Sequence, residues 1–228
     1  MKLEGARVLV VDDDPDIRAN LSDILTDLGY RVDTAADGEE ALDRAQSVTY
    51  DVALLDLKMP GIDGVELYRR LKKLQPGVVA FIVSAYASGD TAQQALHLGA
   101  WEVLSKPVDP ARLLPLIDEA VAAPLVVIVD DDEDFCAVLW DLLHEHRLRA
   151  CIAHDVATVE QLLGERIYSV GLVDLCLRSE DGRMVVDRLR TERPAVNCIL
   201  VTGHALEMPD VVTDALDRGA SSVLHKPI

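Results

Sequence analysis

Aromatic residues are scarce in this 228-residue chain, which has two Phe, two Trp and five Tyr. Half of the residues are apolar, so any core has to be built from Val, Leu, Ile and Ala, as suits packed strands and helices. Basic residues are also in deficit, 22 Lys and Arg against 40 Asp and Glu, for a formal net charge of −18. Such a surface repels nucleic acid and anionic lipid, which argues against DNA, RNA or a membrane surface as partner. The apolar content is too high for an acidic disordered chain. No cysteine precedes Cys136, and Cys136, Cys151, Cys176 and Cys198 form no C-x-x-C pair; free thiols in a reducing compartment are expected. Long apolar runs are missing too. The longest, Ala120 to Val129, contains Pro124 and is about half of what a membrane span needs. Val8 to Val11 ends in aspartates and is no secretion signal. These absences together predict a cytoplasmic protein.

What the chain does have is itself, twice. Val10-Val11-Asp12-Asp13-Asp14 returns as Ile128-Val129-Asp130-Asp131-Asp132, Leu55-Asp56-Leu57 as Val173-Asp174-Leu175, Val83-Ser84 as Val201-Thr202, and Lys106-Pro107 as Lys226-Pro227. The offset is 118 residues at three stations and 120 at the fourth. Such a period is the size of a domain, so domains are expected at 1–123 and 124–228, joined by Ala122, Ala123 and Pro124 with almost no linker. Each carries nine net negative charges.

Within each copy short apolar runs alternate with helical patterns. Strands are predicted over 7–11, 31–35, 51–55, 78–83 and 101–104, and helices over 15–28, 38–46, 64–74, 90–98 and 110–122. In the second copy strands are predicted over 125–129, 148–153, 169–173, 196–201 and 221–224. Alternating strands and helices imply an α/β fold with a parallel, doubly wound sheet and right-handed crossovers. The second copy has no counterpart of helix 110–122, so one face of its sheet loses that cover; a longer parent protein is the expectation.

Every repeated polar station falls at the carboxyl end of a strand, where ligands bind in open parallel sheets. Asp12 and Asp13 follow strand one, Asp56 ends strand three, Ser84 ends strand four, and Lys106 follows strand five. Three carboxylates in one crevice repel each other and call for a cation, and oxygen ligands with room for water suit Mg²⁺. With Lys106 and the Ser84 hydroxyl beside it, the crevice suits a phosphoryl group, and an aspartate can be the nucleophile that takes it.

This ordered set resembles the receiver domains of two-component response regulators over essentially the whole chain. The resemblance rests on Val-Val-Asp-Asp-Asp, Leu55-Asp56 followed by Met59-Pro60 and Gly64, Val83-Ser84-Ala85 and Ser105-Lys106-Pro107. It implies two flavodoxin-like (βα)5 domains with five-stranded parallel sheets of order 2-1-3-4-5, the second lacking its final helix. It implies Asp56 and Asp174 as phosphoacceptors. One Mg²⁺ per domain would be held in the first by Asp13, Asp56 and the carbonyl of Lys58, with Asp12 helping through water, and in the second by the acidic pair Asp130 and Asp131 with Asp174 and the carbonyl of Cys176. Phosphate-binding and switch positions would be Ser84, Ala85 and Lys106, and Thr202, Gly203 and Lys226. Pro107 and Pro227 would follow cis peptide bonds. The implied role is a phosphoacceptor signalling module, not a turnover enzyme. It would be charged by a sensor histidine kinase or a histidine phosphotransfer protein, would act through an output domain or effector outside this chain, and belongs to a family in which homodimers are common.

Departures from the family pattern are local. Val103 and Val223 stand where a switching Tyr or Phe is usual, and Leu177-Arg178 stand where the first copy has Met59-Pro60. Lys58 and Tyr86, and Cys176 and His204, would line the two entrances. Asp14, Asp37, Asp63, Asp155 and Asp181 read as helix starters. Trp101 and Trp140 read as packing residues, and His97, His144, His146, His154 and His225 as exposed helix residues. An aspartate-nucleophile phosphatase would match Asp12 and Asp14 but leaves Asp56 and Asp174 unexplained. A nucleotide site would need a Gly-rich turn where aspartates stand. A receiver-fold scaffold without phosphorylation is the remaining alternative.

Overall fold

The computed structural model describes residues 5–85, 90–177, 181–203 and 209–227. The chain divides into two compact units, Met1–Ala123 and Pro124–Ile228. In the first, β1 (Arg7–Val11), β2 (Arg31–Ala35), β3 (Val52–Asp56), β4 (Val79–Ser84) and β5 (Glu102–Ser105) alternate with α1 (Pro15–Asp27), α2 (Gly38–Ala45), α3 (Gly64–Leu74), α4 (Asp90–His97) and α5 (Pro110–Ala122). The second unit contains β6 (Leu125–Val129), α6 (Glu133–Glu145), β7 (Arg149–Ala153), α7 (Val156–Glu165), β8 (Val170–Val173), α8 (Gly182–Glu192), β9 (Asn197–Thr202), α9 (Pro209–Asp217) and β10 (Ser222–His225). The pairings among these strands are parallel, in the orders β2-β1-β3-β4-β5 and β7-β6-β8-β9-β10, which is the 2-1-3-4-5 topology twice.

Alternation along the strands sends residues to two cores per sheet. Leu9, Val11, Ala53 and Leu55 face one side with Ala41, Tyr68 and Leu71. Val8, Val10, Val52, Leu54 and Phe81 face the other with Leu21, Leu25, Leu113 and Ile117. Because both faces are covered, β3 and β4 are buried at every position, as their continuous apolar runs require. Much of the acidity is spent at helix starts. Asp14, Asp37, Asp63, Asp109, Asp132, Asp155 and Asp181 are N-caps whose carboxylates accept backbone N–H bonds, satisfying donors that a helix leaves open and matching its dipole.

Among the described residues no helix follows β10 to cover the second sheet as α5 covers the first. Val52, Phe81 and Leu104 are at most 2% exposed; their counterparts Val170 and Ile199 are only partly buried and Leu224 is 40% exposed. Trp101 and Trp140 are buried packing residues. Three histidines depart from the expectation of exposed helix positions. His144 is half-buried and stacks on Trp140, with ring centroids 4.8 Å apart. His225 lies on β10, and His154 lies in the turn between β7 and α7. A β-strand and a tight turn can occupy polar positions that look helical in sequence when no apolar period contradicts them. Among the described residues no helix is long and apolar enough to cross a membrane.

Candidate functional site: a lysine-bridged acidic crevice, built twice

Parallel pairing brings the ends of β1, β3, β4 and β5 to one edge, and the predicted residues meet there. Asp12, the residue after β1, is 2% exposed; Asp56, the last residue of β3, is 5% exposed. Lys106 reaches over from beyond β5, its Nζ 2.7 Å from Asp12 Oδ2 and 3.0 Å from Asp56 Oδ2. The other Asp12 oxygen accepts the Asp14 N–H at 3.0 Å, and Asp56 Oδ1 accepts the Lys58 N–H at 3.4 Å. Asp13 is exposed at the mouth and lines an open pocket with Lys58, Met59, Pro60 and Thr91. Carboxylate oxygens of Asp12, Asp13 and Asp56 all lie within 4.8 Å of one another. Ser84 is buried at the end of β4, and its carbonyl accepts the Lys106 N–H at 2.8 Å. Ala85 is exposed beside it, and the Lys106-Pro107 peptide is cis.

The second unit repeats this construction. Lys226 Nζ lies 2.5 Å from Asp130 Oδ2 and 2.8 Å from Asp174 Oδ2. Asp130, Asp131 and Asp174 share the same 4.8 Å neighbourhood. Cys176 N–H donates to Asp174 Oδ1 at 3.1 Å. Thr202 is buried, its carbonyl accepts the Lys226 N–H at 3.1 Å, Gly203 is exposed, and Lys226-Pro227 is cis. One feature is new: the Lys226 ammonium sits 4.3 Å from the centre of the Phe135 ring, a favourable cation–π position. Tyr86, Arg178 and His204 lie outside the described residues. Val103 is buried on β5 and Val223 partly buried on β10.

The charges do not balance. Burial pushes the Asp56 carboxyl above its usual range even though Lys106 pulls the other way, and Asp12 adds to the rise. Asp130 is raised for the same reason, burial outweighing Lys226. Burial alone would lower both lysines, yet the paired carboxylates hold Lys106 and Lys226 above the ordinary value. Three carboxylates facing one ammonium leave negative charge uncompensated. An all-oxygen donor set of this size suits a hard divalent cation, so the residues present fit Mg²⁺.

Several residues that shape the site are not evident from the repeated stations. Gly64 and Gly182 each follow the central aspartate by eight residues. A Cβ at either would come closer than 3.0 Å to the carbonyl oxygen of Asp56 or Asp174. Arg18 donates to the Asp12 carbonyl at 2.6 Å. The Asp130 carbonyl instead accepts from His154 Nδ1 at 2.7 Å and from the Cys136 thiol at 3.4 Å. The glycine spacing, the same in both copies, was a usable sequence signal; the carbonyl contacts left none.

A doubly wound sheet with a lysine-bridged acidic trio at its carboxyl edge defines the class of site. The family follows from comparison: the response regulator receiver domain model matches residues 8–118 and 126–228, and the chain belongs to that family, as a tandem of two receiver domains. It is 35% identical to a response regulator receiver protein of Anaeromyxobacter sp. (strain Fw109-5) over 205 residues, which cover 90% of this chain and 85% of that protein. Sporulation initiation phosphotransferase F of Bacillus subtilis (strain 168) is 37% identical over 103 residues, 45% of this chain and 83% of that protein. The transcriptional regulatory protein ZraR of Escherichia coli (strain K12) is 36% identical over 122 residues, 54% of this chain; the match spans only 28% of that regulator.

Proposed function

We propose that Asp56 and Asp174 each accept a phosphoryl group from a phosphohistidine, on a sensor kinase or a histidine phosphotransfer protein, in a Mg²⁺-dependent reaction. The observation that carries this reading is the buried aspartate held by a lysine and flanked by two further carboxylates, present in both units. In the transfer, the bond between phosphorus and the histidine nitrogen breaks, the nitrogen keeps the electron pair, and a bond from phosphorus to an aspartate oxygen forms. Bound Mg²⁺, held by the acidic trio with the Lys58 or Cys176 carbonyl, would neutralise phosphoryl charge. Lys106 and Lys226 neutralise further charge from the other side. Ser84 and Thr202, at the ends of β4 and β9, supply a hydroxyl donor to a phosphoryl oxygen. On this reading the chain is an acceptor whose altered state is read by an effector outside it, works in the cytoplasm, and turns over no substrate. With valine at 103 and 223, the readout does not run through a rotating aromatic ring.

The test is incubation of the whole chain with Mg²⁺ and acetyl phosphate, followed by intact mass measurement of the parent, Asp56→Asn, Asp174→Asn and the double variant. One or two phosphates on the parent and none on the double variant are expected. An unmodified parent that also fails to bind beryllium fluoride would refute the reading and leave a receiver-fold scaffold.

A further inference from the structure

The two copies close the same corner of the site with different chemistry. In the first, the Asp12 N–H donates to the Ala35 carbonyl at 3.3 Å, and the Asp12 carbonyl accepts from Arg18, one turn into α1, at 2.6 Å. In the second, Cys136 occupies the position of Arg18, 118 residues on, and brings only a thiol at 3.4 Å, a weak donor. The position of Ala36, whose side chain has no donor, is filled by His154, and its Nδ1 lies 2.7 Å from the Asp130 carbonyl. A carbonyl only accepts, so Nδ1 carries the proton. The Asp130 N–H meanwhile donates to the Ala153 carbonyl at 3.1 Å. Ala153, the last residue of β7, and His154, the first after it, thus grip Asp130 from both sides.

We infer that His154 is a positioning residue of the second site, holding the peptide that aims Asp131 into the acidic crevice, the task Arg18 performs for Asp13. A peptide unit is planar, so a bond to the Asp130 carbonyl sets the plane of the Asp130–Asp131 link and with it the direction in which Asp131 leaves the chain. Asp130 itself is already fixed by Lys226 and the Asp132 N–H. Asp131, partly exposed, is the member of the trio that leaves the chain directly from the far side of that peptide. Partners standing behind ligands typically change metal affinity by about 10–100-fold.

This inference rests on the Mg²⁺ reading above, and the experiment separates the two. Mg²⁺ is titrated calorimetrically into the full chain carrying Asp13→Asn, so that the second site dominates the signal. His154→Ala in that background is expected to weaken Mg²⁺ binding by about 10-fold, while the metal-free chain loses no more stability than one hydrogen bond accounts for. His154→Asn, whose side-chain amide reaches the place of Nδ1, is expected to restore most of the affinity. Unchanged affinity in His154→Ala overturns the assignment. So does an Asn variant as weak as the Ala variant, or a metal-free melting point that falls by far more than one hydrogen bond accounts for. Adding Asp131→Asn to the background is the control. If it leaves the Mg²⁺ heat intact, the Mg²⁺ reading fails and the assignment falls with it; if it abolishes the heat while His154→Ala does not, only the assignment fails.

Discussion

Replacing Gly64 by alanine tests how tightly the backbone of Asp56 is held against α3. An added Cβ would lie 3.0 Å from both Asp56 C and Leu57 Cα, and closer still to the Asp56 carbonyl oxygen. These are main-chain atoms of a strand buried on both faces, so no side chain can swing aside to make room. Either the start of α3 or the end of β3 has to move by about 1 Å to restore an ordinary contact. Overpacking of this kind costs about 1–3 kcal/mol, and the better helix propensity of alanine returns less than about 1 kcal/mol. Stability should therefore fall by about 1–2 kcal/mol. The larger effect falls on chemistry, because misplacing a reacting group by about 1 Å can cost 10²-fold in rate. The assay is the rate at which acetyl phosphate labels Asp56 in an Asp174→Asn chain, with thermal unfolding in parallel. Gly61→Ala is the contrast. Its Cβ meets nothing within 4 Å, but its φ of 81° is unfavourable for alanine, so about 1 kcal/mol is lost with the Asp56 carbonyl left in place. The reasoning is refuted if Gly64→Ala labels at the parent rate, or if Gly61→Ala slows labelling as much.

Removing Lys106 as Lys106→Ala leaves two buried carboxylates without their ammonium; unfolding by denaturant should show a loss of about 3 kcal/mol, smaller when Mg²⁺ is added. The difference in sheet cover predicts that Leu104→Ala costs about 2–5 kcal/mol in the same assay, whereas Leu224→Ala, at 40% exposure, costs under about 1 kcal/mol. Asp155→Ala removes the N-cap of α7 and should cost about 1 kcal/mol near neutral pH. The Thr158 N–H holds the Asp155 carboxyl below its usual value of 3.8. The contribution is therefore fully present above that value and is lost as pH falls through the lower folded one; equal penalties at pH 7 and pH 2 would contradict it.

Elements whose identity lies in side-chain pattern were legible in the sequence. The ends of β1 and β2 were placed to the residue, and β3 begins at Val52, one residue late, the Asp51 carboxylate accepting the Arg7 N–H at 3.0 Å where the strand starts. The 2-1-3-4-5 order came from resemblance to a family; alternating strands and helices alone imply only a parallel, doubly wound sheet. Features anchored on main-chain acceptors left no such trace. The carbonyl of Asp12 can be served by any donor that reaches it, from α1 or from the turn after β2, so duplication constrains the bond without constraining the residue that makes it. That freedom explains why Arg18 and Ala36 became Cys136 and His154 while Asp12, Asp56 and Lys106 kept their counterparts: each of the latter bonds side chain to side chain, where changing one partner strands the other's charge. It also locates the divergence of the two sites. The acidic trio and its bridging lysine are the same in both copies, and the supports behind them differ: a permanently charged guanidinium in one, an imidazole in the other. If Asp56 and Asp174 differ in behaviour under the labelling assay, the cause is to be sought in the groups behind Asp13 and Asp131, and at Lys58 and Cys176 beside the two central aspartates, before it is sought in the acidic residues themselves.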